Sequence, residues 1–268
     1  MSRKCFGGVR LIKFECGLAR AGISFYEMVK LIELYKNIGD YEKLRKAVFA
    51  ENYLGKNSDS RTGDILKAFK KRFLATDIKL PAVKNLAHAI DSDLPDESKR
   101  QILFPYYLFS DDLLRTIYSE LIIESIENGK MLTVTNVDVV DSLKKLGKKH
   151  KNIATWTEST KKKWATRFLT FLRTFGILGK YPANKLKKMY VLPETVAFFA
   201  FWFADNGLPF QRILSHSLWE FYLMHKEEVL EWIYYGNKKD WWYFEMAGDI
   251  ISYQPNYNLE GWLKDGLE

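Results

Sequence analysis

The sequence predicts a mostly α-helical protein with two helix-turn-helix modules, the second winged by a short β-hairpin, followed by a C-terminal helical region. Three observations carry this expectation. Helix formers such as Leu, Lys, Glu and Phe dominate, and only 7 of the 268 residues are Pro. Capping signals followed by apolar residues at helical spacing recur in residues 40–73 and 136–175. The second of these stretches leads directly into a turn between two β-prone runs.

The N-terminal stretch MSRKCFGGVRLIKFECGLARAG is basic, and its apolar residues are too interrupted for a signal peptide. The two cysteines, Cys5 and Cys16, match neither a zinc signature nor a disulfide framework and read as idle thiols in a reducing cytosol. In DYEKLRKAVFAENYLGKNSDSRTGDILKAFKKRF, Asp40 can cap a helix that ends near Asn52, and Ser58 or Asp59 can cap the next. Ile65, Leu66, Phe69 and Phe73 form the buried face of that second helix. Ser60, Gly63, Asp64, Lys67 and Lys71 point outward, with Arg61 and Lys70 at the edges. LATDIKLPAVKNLAHAI then runs into another helix rather than a wing, so this first unit is either a nucleic-acid contact or a helical packing unit.

Ser92–Ser98 (SDLPDES) is an acidic, Pro-containing joint, and a long helix from about Ser110 to Asn128 opens the second module. The expected divisions are 1–95, 96–207 and 208–268. A short amphipathic helix is expected from Asn136 to Lys148. Thr155 and Glu158 have capping-box spacing, so a longer helix should begin near Thr155–Thr157. Trp164, Phe168, Phe171 and Phe175 recur on one helical stripe with Leu172 beside it, which makes them core, and Gly176 is a natural C-cap. ILGKY, PAN and KLKKMYVL then read as a hairpin around Pro182–Asn184.

Charge is unevenly spread. The net charge is +8, yet Ser142–Lys188 alone holds fourteen Lys or Arg against the single acid Glu158. Residues 205–268 carry eleven Asp or Glu against five Lys or Arg, together with five of the eight tryptophans. Like charges crowded together repel, so the basic segment calls for an anionic ligand or a solvated lysine-rich face. On the helix after Thr157, Ser159, Lys162, Lys163, Thr166, Thr170 and Arg173 face away from the aromatic stripe, with Arg167 at its border.

Helix, turn, longer helix and basic hairpin is the order of a winged helix-turn-helix, whose second helix enters the DNA major groove while the wing touches the flanking backbone. The expected DNA contacts are Ser159, Lys161, Lys162, Lys163, Thr166 and Arg167 on the helix. Lys148 and Lys149 lie before it, and Lys180, Lys185, Lys187 and Lys188 on the wing. Ser60, Arg61, Lys67 and Lys71 are the counterparts in the first module. Lysines outnumber arginines there and no Asn or Gln lies on the helix, which points to binding without sequence preference.

The tail from Pro209 reads as two or more amphipathic helices and a loose end. In SHSLWEFYLMHKEEVLEW, Leu218, Phe221, Tyr222, His225, Val229 and Trp232 share a face. The aromatic excess is either core or a docking surface for a protein partner. His216 and His225 have no carboxylate pattern of a metal site. Phosphate-binding, dinucleotide, zinc-protease, hydrolase and kinase motifs are all missing from the sequence, so no enzyme, cofactor or metal is expected. No apolar run of membrane-spanning length occurs, and a cytoplasmic protein is expected.

Two stretches resemble a known family. AENYLGKNSDSRTGDILKAFKKRF is similar to the N-terminal pattern of the BrxA family of bacterial BREX phage-defence operons, through Asn52, Leu54, Ser58, Ser60, Thr62, Arg72 and Phe73. WTESTKKKWATRFLTFLRTFGIL resembles its second hallmark, through Trp156, Thr157, Glu158, Ser159, Thr160, Gly176, Ile177 and Leu178. The likeness reaches from about Phe25 to Leu192. It implies a small, non-enzymatic, mostly helical protein with winged-helix-like modules that binds double-stranded DNA beside the other BREX subunits. Those subunits would be met through the C-terminal region. The family has also been likened to an RNA-binding antitermination factor, and a basic face leaves RNA open. A protein adaptor within the defence complex is the remaining alternative.

Overall fold

The computed structural model describes residues 14–75, 80–129, 133–248 and 250–267. Cys5 and most of the basic N-terminal stretch lie outside them. The chain is mostly helical. A first group comprises α1 (Gly17–Ala21), α2 (Phe25–Ile38), α3 (Tyr41–Ala50), α4 (Asp59–Phe73) and α5 (Val83–Asp91). Asp40 caps α3 by accepting from Lys43 N–H, and Ser58 caps α4 by accepting from Arg61 N–H, as the sequence predicts. Ile65, Leu66, Phe69 and Phe73 are buried, and Arg72 is buried with them.

The stretch expected as a joint is a turn at 92–95, and α6 (Asp96–Ser110) starts at once. This helix gave no periodic signal because beyond its polar first turns it is apolar on every side. Ile102 to Leu108 are all buried, with Pro105 inside the helix. It runs through the middle of the molecule, and the Phe104 ring meets Phe171, Phe175, Tyr118 and Tyr222 at 5.1–5.6 Å between centroids. Next come α7 (Asp112–Tyr118), a π-helical turn (Ser119–Ile123) and α8 (Glu124–Glu127), covering the expected long helix with Asp111 as its cap.

Thr135 and Asp138 form a capping box for α9 (Asn136–Gly147), which ends within a residue of expectation. A one-turn helix, α10 (Lys151–Ala154), fills the connection to α11 (Glu158–Thr174). The α11 cap is Thr157, whose side chain accepts from Thr160 N–H, rather than the expected Thr155. Thr155 instead donates back to Asn152 O. At the other end Gly176 takes φ +73°, Gly176 N–H reaches Arg173 O and Ile177 N–H reaches Leu172 O. That is a Schellman motif, which needs the left-handed residue glycine supplies.

The tail departs most from expectation. After α12 (Pro193–Asp205) come α13 (Phe210–Leu214) and α14 (Leu218–Phe221). Leu223 breaks the expected single face with φ +58°, and α15 (Lys226–Lys238) starts afresh behind His225. Leu218, Tyr222 and Val229 are buried while His225 is exposed. Instead of a loose end there is an antiparallel pair, β1 (Trp242–Ala247) and β2 (Ile250–Pro255), in register Trp242↔Pro255 to Ala247↔Ile250, then α16 (Leu259–Asp265). Trp219, Trp241, Trp242 and Trp262 are buried and Trp232 half-buried, so four of these five tryptophans belong to the core. One continuous hydrophobic core cluster runs through the described chain from Phe14 to Leu263.

Candidate nucleic-acid interface

Helix α11 sets the site. Trp164, Phe168, Phe171 and Phe175 are all buried, which fixes the helix's rotation about its axis. Ser159, Lys162, Lys163, Thr166 and Thr170 are consequently exposed. Thr166 Oγ1 lies 3.3 Å from Asn136 Oδ1, so the start of α9 flanks this face on one side. Lys161 departs from the expected contacts. It stands one turn before Trp164 and Ala165 on the inner row, its side chain is 11% exposed, and its Nζ bonds Glu158 Oε1 at 3.0 Å. The Lys161 hydrogen bond, more than the nearby Lys144 at 3.5 Å, holds the Glu158 carboxyl below its usual range.

Lys148, Lys149, Lys180, Lys185 and Lys187 are exposed and, like Lys162 and Lys163, make no ion pair among the described residues. Lys188 is exposed too but pairs with Glu228 at 2.5 Å. The expected hairpin is reduced to one antiparallel bridge, Leu178↔Leu186, with Lys187 N–H donating to Ile177 O at 2.9 Å. A third limb that the sequence did not reveal joins it: Thr133 bridges Lys185, and Val134 N–H donates to Asn184 O at 2.9 Å. Arg173 is no free cation. It donates to Ala183 O and Asn184 Oδ1 at 3.3 and 2.8 Å and ties the loop tip to the end of α11. Tyr181 at that tip is 84% exposed.

In the first module Ser60 and Lys67 are exposed. Lys71 is held by Glu15 at 2.9 Å. Arg61 turns back onto the N-terminal turn, donating to Arg20 O and to Ser24 Oγ. The structure thereby brings Arg61 beside Arg167, which is far from it in the sequence: both lie 3.7 Å from the position a Cβ on Gly22 would take. Tyr26, Arg100 and Arg173 line the same cleft. No sequence spacing could have joined residues so far apart.

The segment before α9 and the loop after α11 thus build a small β-ladder, with α9 and α11 between its limbs. The BrxA family model matches residues 12–201. The chain belongs to the BrxA family. BrxA proteins belong to BREX phage-defence systems, and the two hallmark stretches form the N-terminal part of this fold and α11. A crystal structure of an uncharacterized protein from Magnetospirillum magneticum is similar, with a TM-score of 0.57 over 72% of this BrxA chain and 93% of that one. At 14% identity that likeness concerns the fold alone. No curated protein matches the chain. No helix of the described residues is long and apolar enough to cross a membrane, and no group of three or more potential metal ligands occurs among them.

Proposed function

We propose that this BrxA protein is a non-enzymatic, cytoplasmic subunit of a BREX system that binds double-stranded DNA through a winged helix-turn-helix formed by α9, α11 and the loop 177–187. The observation that carries the reading is the outer face of α11, where Lys162 and Lys163 stand exposed and unpaired among hydroxyls. The limb order supports it, since a segment at Thr133 before α9 joins the loop after α11. In this reading α11 enters the major groove, and Lys180, Lys185 and Lys187 lie along the flanking phosphates. Arg173 contributes by fixing the wing rather than by touching DNA.

Binding of this kind releases condensed counterions, so affinity falls steeply with salt. Anisotropy titrations of a labelled duplex over a salt series test it. Lys162→Ala with Lys163→Ala is expected to lower the log–log salt slope by about two and to weaken binding at every salt concentration. Unchanged affinity and slope would remove α11 from the interface.

A second reading has its own observation. Tyr26, Tyr181 and Tyr190 are 70–84% exposed, and Tyr181 and Tyr190 lie in or just beyond the lysine-rich loop. Exposed rings beside cations can stack unpaired bases, as an RNA-binding factor requires. Competition of single-stranded RNA against the bound duplex separates the two, and a clear RNA preference would replace the duplex reading.

A further inference from the structure

Between residues 22–27, which form the turn before α2 and its first residues, and the C-terminal half of α11 lies a cleft of about 470 Å³. Arg61, Arg100, Arg167 and Arg173 all line it, with Thr170 and Tyr26 at its walls. Glu27 is the one carboxylate in the lining, and Lys56 already holds it at 2.5 Å. Arg100 pairs with Glu97, while Arg61 and Arg173 are steadied by backbone and side-chain oxygens. Arg167 has no hydrogen-bond or ion-pair partner among the described residues.

The wall opposite α11 is fixed from behind. Buried Arg72 donates to Gly22 O and Ile23 O at 3.2 Å each, and Tyr107 Oη donates to Ile23 O at 3.0 Å. Ser24 is held left-handed at φ +46°, a conformation a non-glycine residue keeps only where its surroundings impose it. Three of these guanidiniums, Arg61, Arg167 and Arg173, line one cleft without an ion-pair partner among the described residues, and like charges so placed repel one another unless an anion offsets them. Their planar N–H forks match phosphate oxygens in pairs.

We propose that this cleft binds a phosphate group that carries a base, with Arg167 as its principal ligand and the 78% exposed Tyr26 ring available to stack on the base. The phosphate comes either from a free nucleotide or from a nucleic-acid strand. Lys163, Arg167, Thr170 and Thr174 follow one another on a single helical row, so the cleft is continuous with the exposed face of α11. The inference does not require that Lys162 and Lys163 bind duplex.

The test uses the full chain, titrated calorimetrically with ATP and, by anisotropy, with a labelled single strand and a labelled duplex. Arg167→Gln removes the principal ligand, and Thr170→Glu places a carboxylate in the cleft from an exposed helix position; thermal melts verify that both fold. Saturable ATP binding that weakens about tenfold or more in both variants supports the free-nucleotide source. No ATP binding, but strand or duplex binding weakened about fivefold or more in both variants, supports the strand source. The same loss measured in the Lys162→Ala/Lys163→Ala background separates the cleft from the α11 lysines, whichever of the two readings fails. If neither variant changes the binding of any of the three probes, the proposal is overturned.

Discussion

Gly236 has no side chain because Trp242 fills the space one would need. A Cβ there would lie 2.2 Å from Trp242 Cζ2 and 2.6 Å from Cε2. The indole is pinned, since its Nε1 donates to Ile233 O at 2.8 Å and its ring lies 5.2 Å from Phe201. Alanine would gain about 1 kcal/mol of helix propensity in α15 but cost about 1–3 kcal/mol of overpacking against a ring that cannot yield. Clash should win, and Gly236→Ala is expected to lower Tm by about 2–6 °C; an unchanged or higher Tm would show that the ring moves. His216 makes a pH prediction. Its Nδ1 accepts Leu218 N–H at 3.1 Å, its ring lies 4.1 Å from Phe203, and burial pulls its pKa from 6.5 to about 4. The folded state thus prefers the neutral ring. Its contribution is complete above about pH 6.5 and is lost as pH falls towards 4, because the unfolded chain takes up the proton first. His216→Asn keeps an acceptor but does not titrate. The Tm of the parent should fall relative to this variant between about pH 7 and pH 4.5, and a constant difference would refute the assignment.

Among the elements, legibility in the sequence followed amphipathicity. Helices α4, α9 and α11 each bury one stripe and carry a capping side chain, so spacing and caps placed them within a few residues. The aromatic stripe of α11 also fixed which lysines point outward, except for Lys161. Its neighbours Lys162 and Lys163 are on the outer row, and only the helical angle separates it from them. Helix α6 escaped because burial on every side erases periodicity, and Pro105 argues against a helix locally. The break at Leu223 escaped because a left-handed leucine has no sequence signature. The loop after α11 was half legible: its turn residues announced it, but the limb at Thr133 pairs with Lys185 across about fifty residues of chain. Arg72 shows the same limit. Its place in a family pattern was readable, whereas its grip on the Gly22 and Ile23 carbonyls depends on tertiary packing alone.

At the scale of the whole molecule, the acidic tail is not an appendage. Tyr222 donates from Oη to Gln101 O at 2.9 Å and Tyr118 from Oη to Phe221 O at 2.7 Å, which ties α14 and its following turn to α6 and α7. Phe201 of α12 packs on Trp242 and Trp262 at 5.2 Å each, and Leu259 N–H donates to Asp205 Oδ2 at 2.8 Å. The tail also covers a helix that cannot stand in water, because α12 is apolar nearly all round, from Val196 to Phe203. Each large core side chain lost costs about 3–5 kcal/mol, and a domain's whole stability is about 5–15 kcal/mol. Removing Tyr222, Trp242 and Trp262 together therefore exceeds what the remaining fold can bear. A chain ending at Gly207 is expected to lose its cooperative thermal transition and to become protease-sensitive within 96–207, where Phe104 and α12 would be laid open. Deletion therefore cannot test a partner-binding role of the tail apart from the folding of the rest; surface substitutions on the exposed acids Glu227 and Glu231 of α15 can. If the shortened chain instead melts cooperatively near the parent's temperature, the tail is an independent unit and its contacts with α6 and α12 add little to stability.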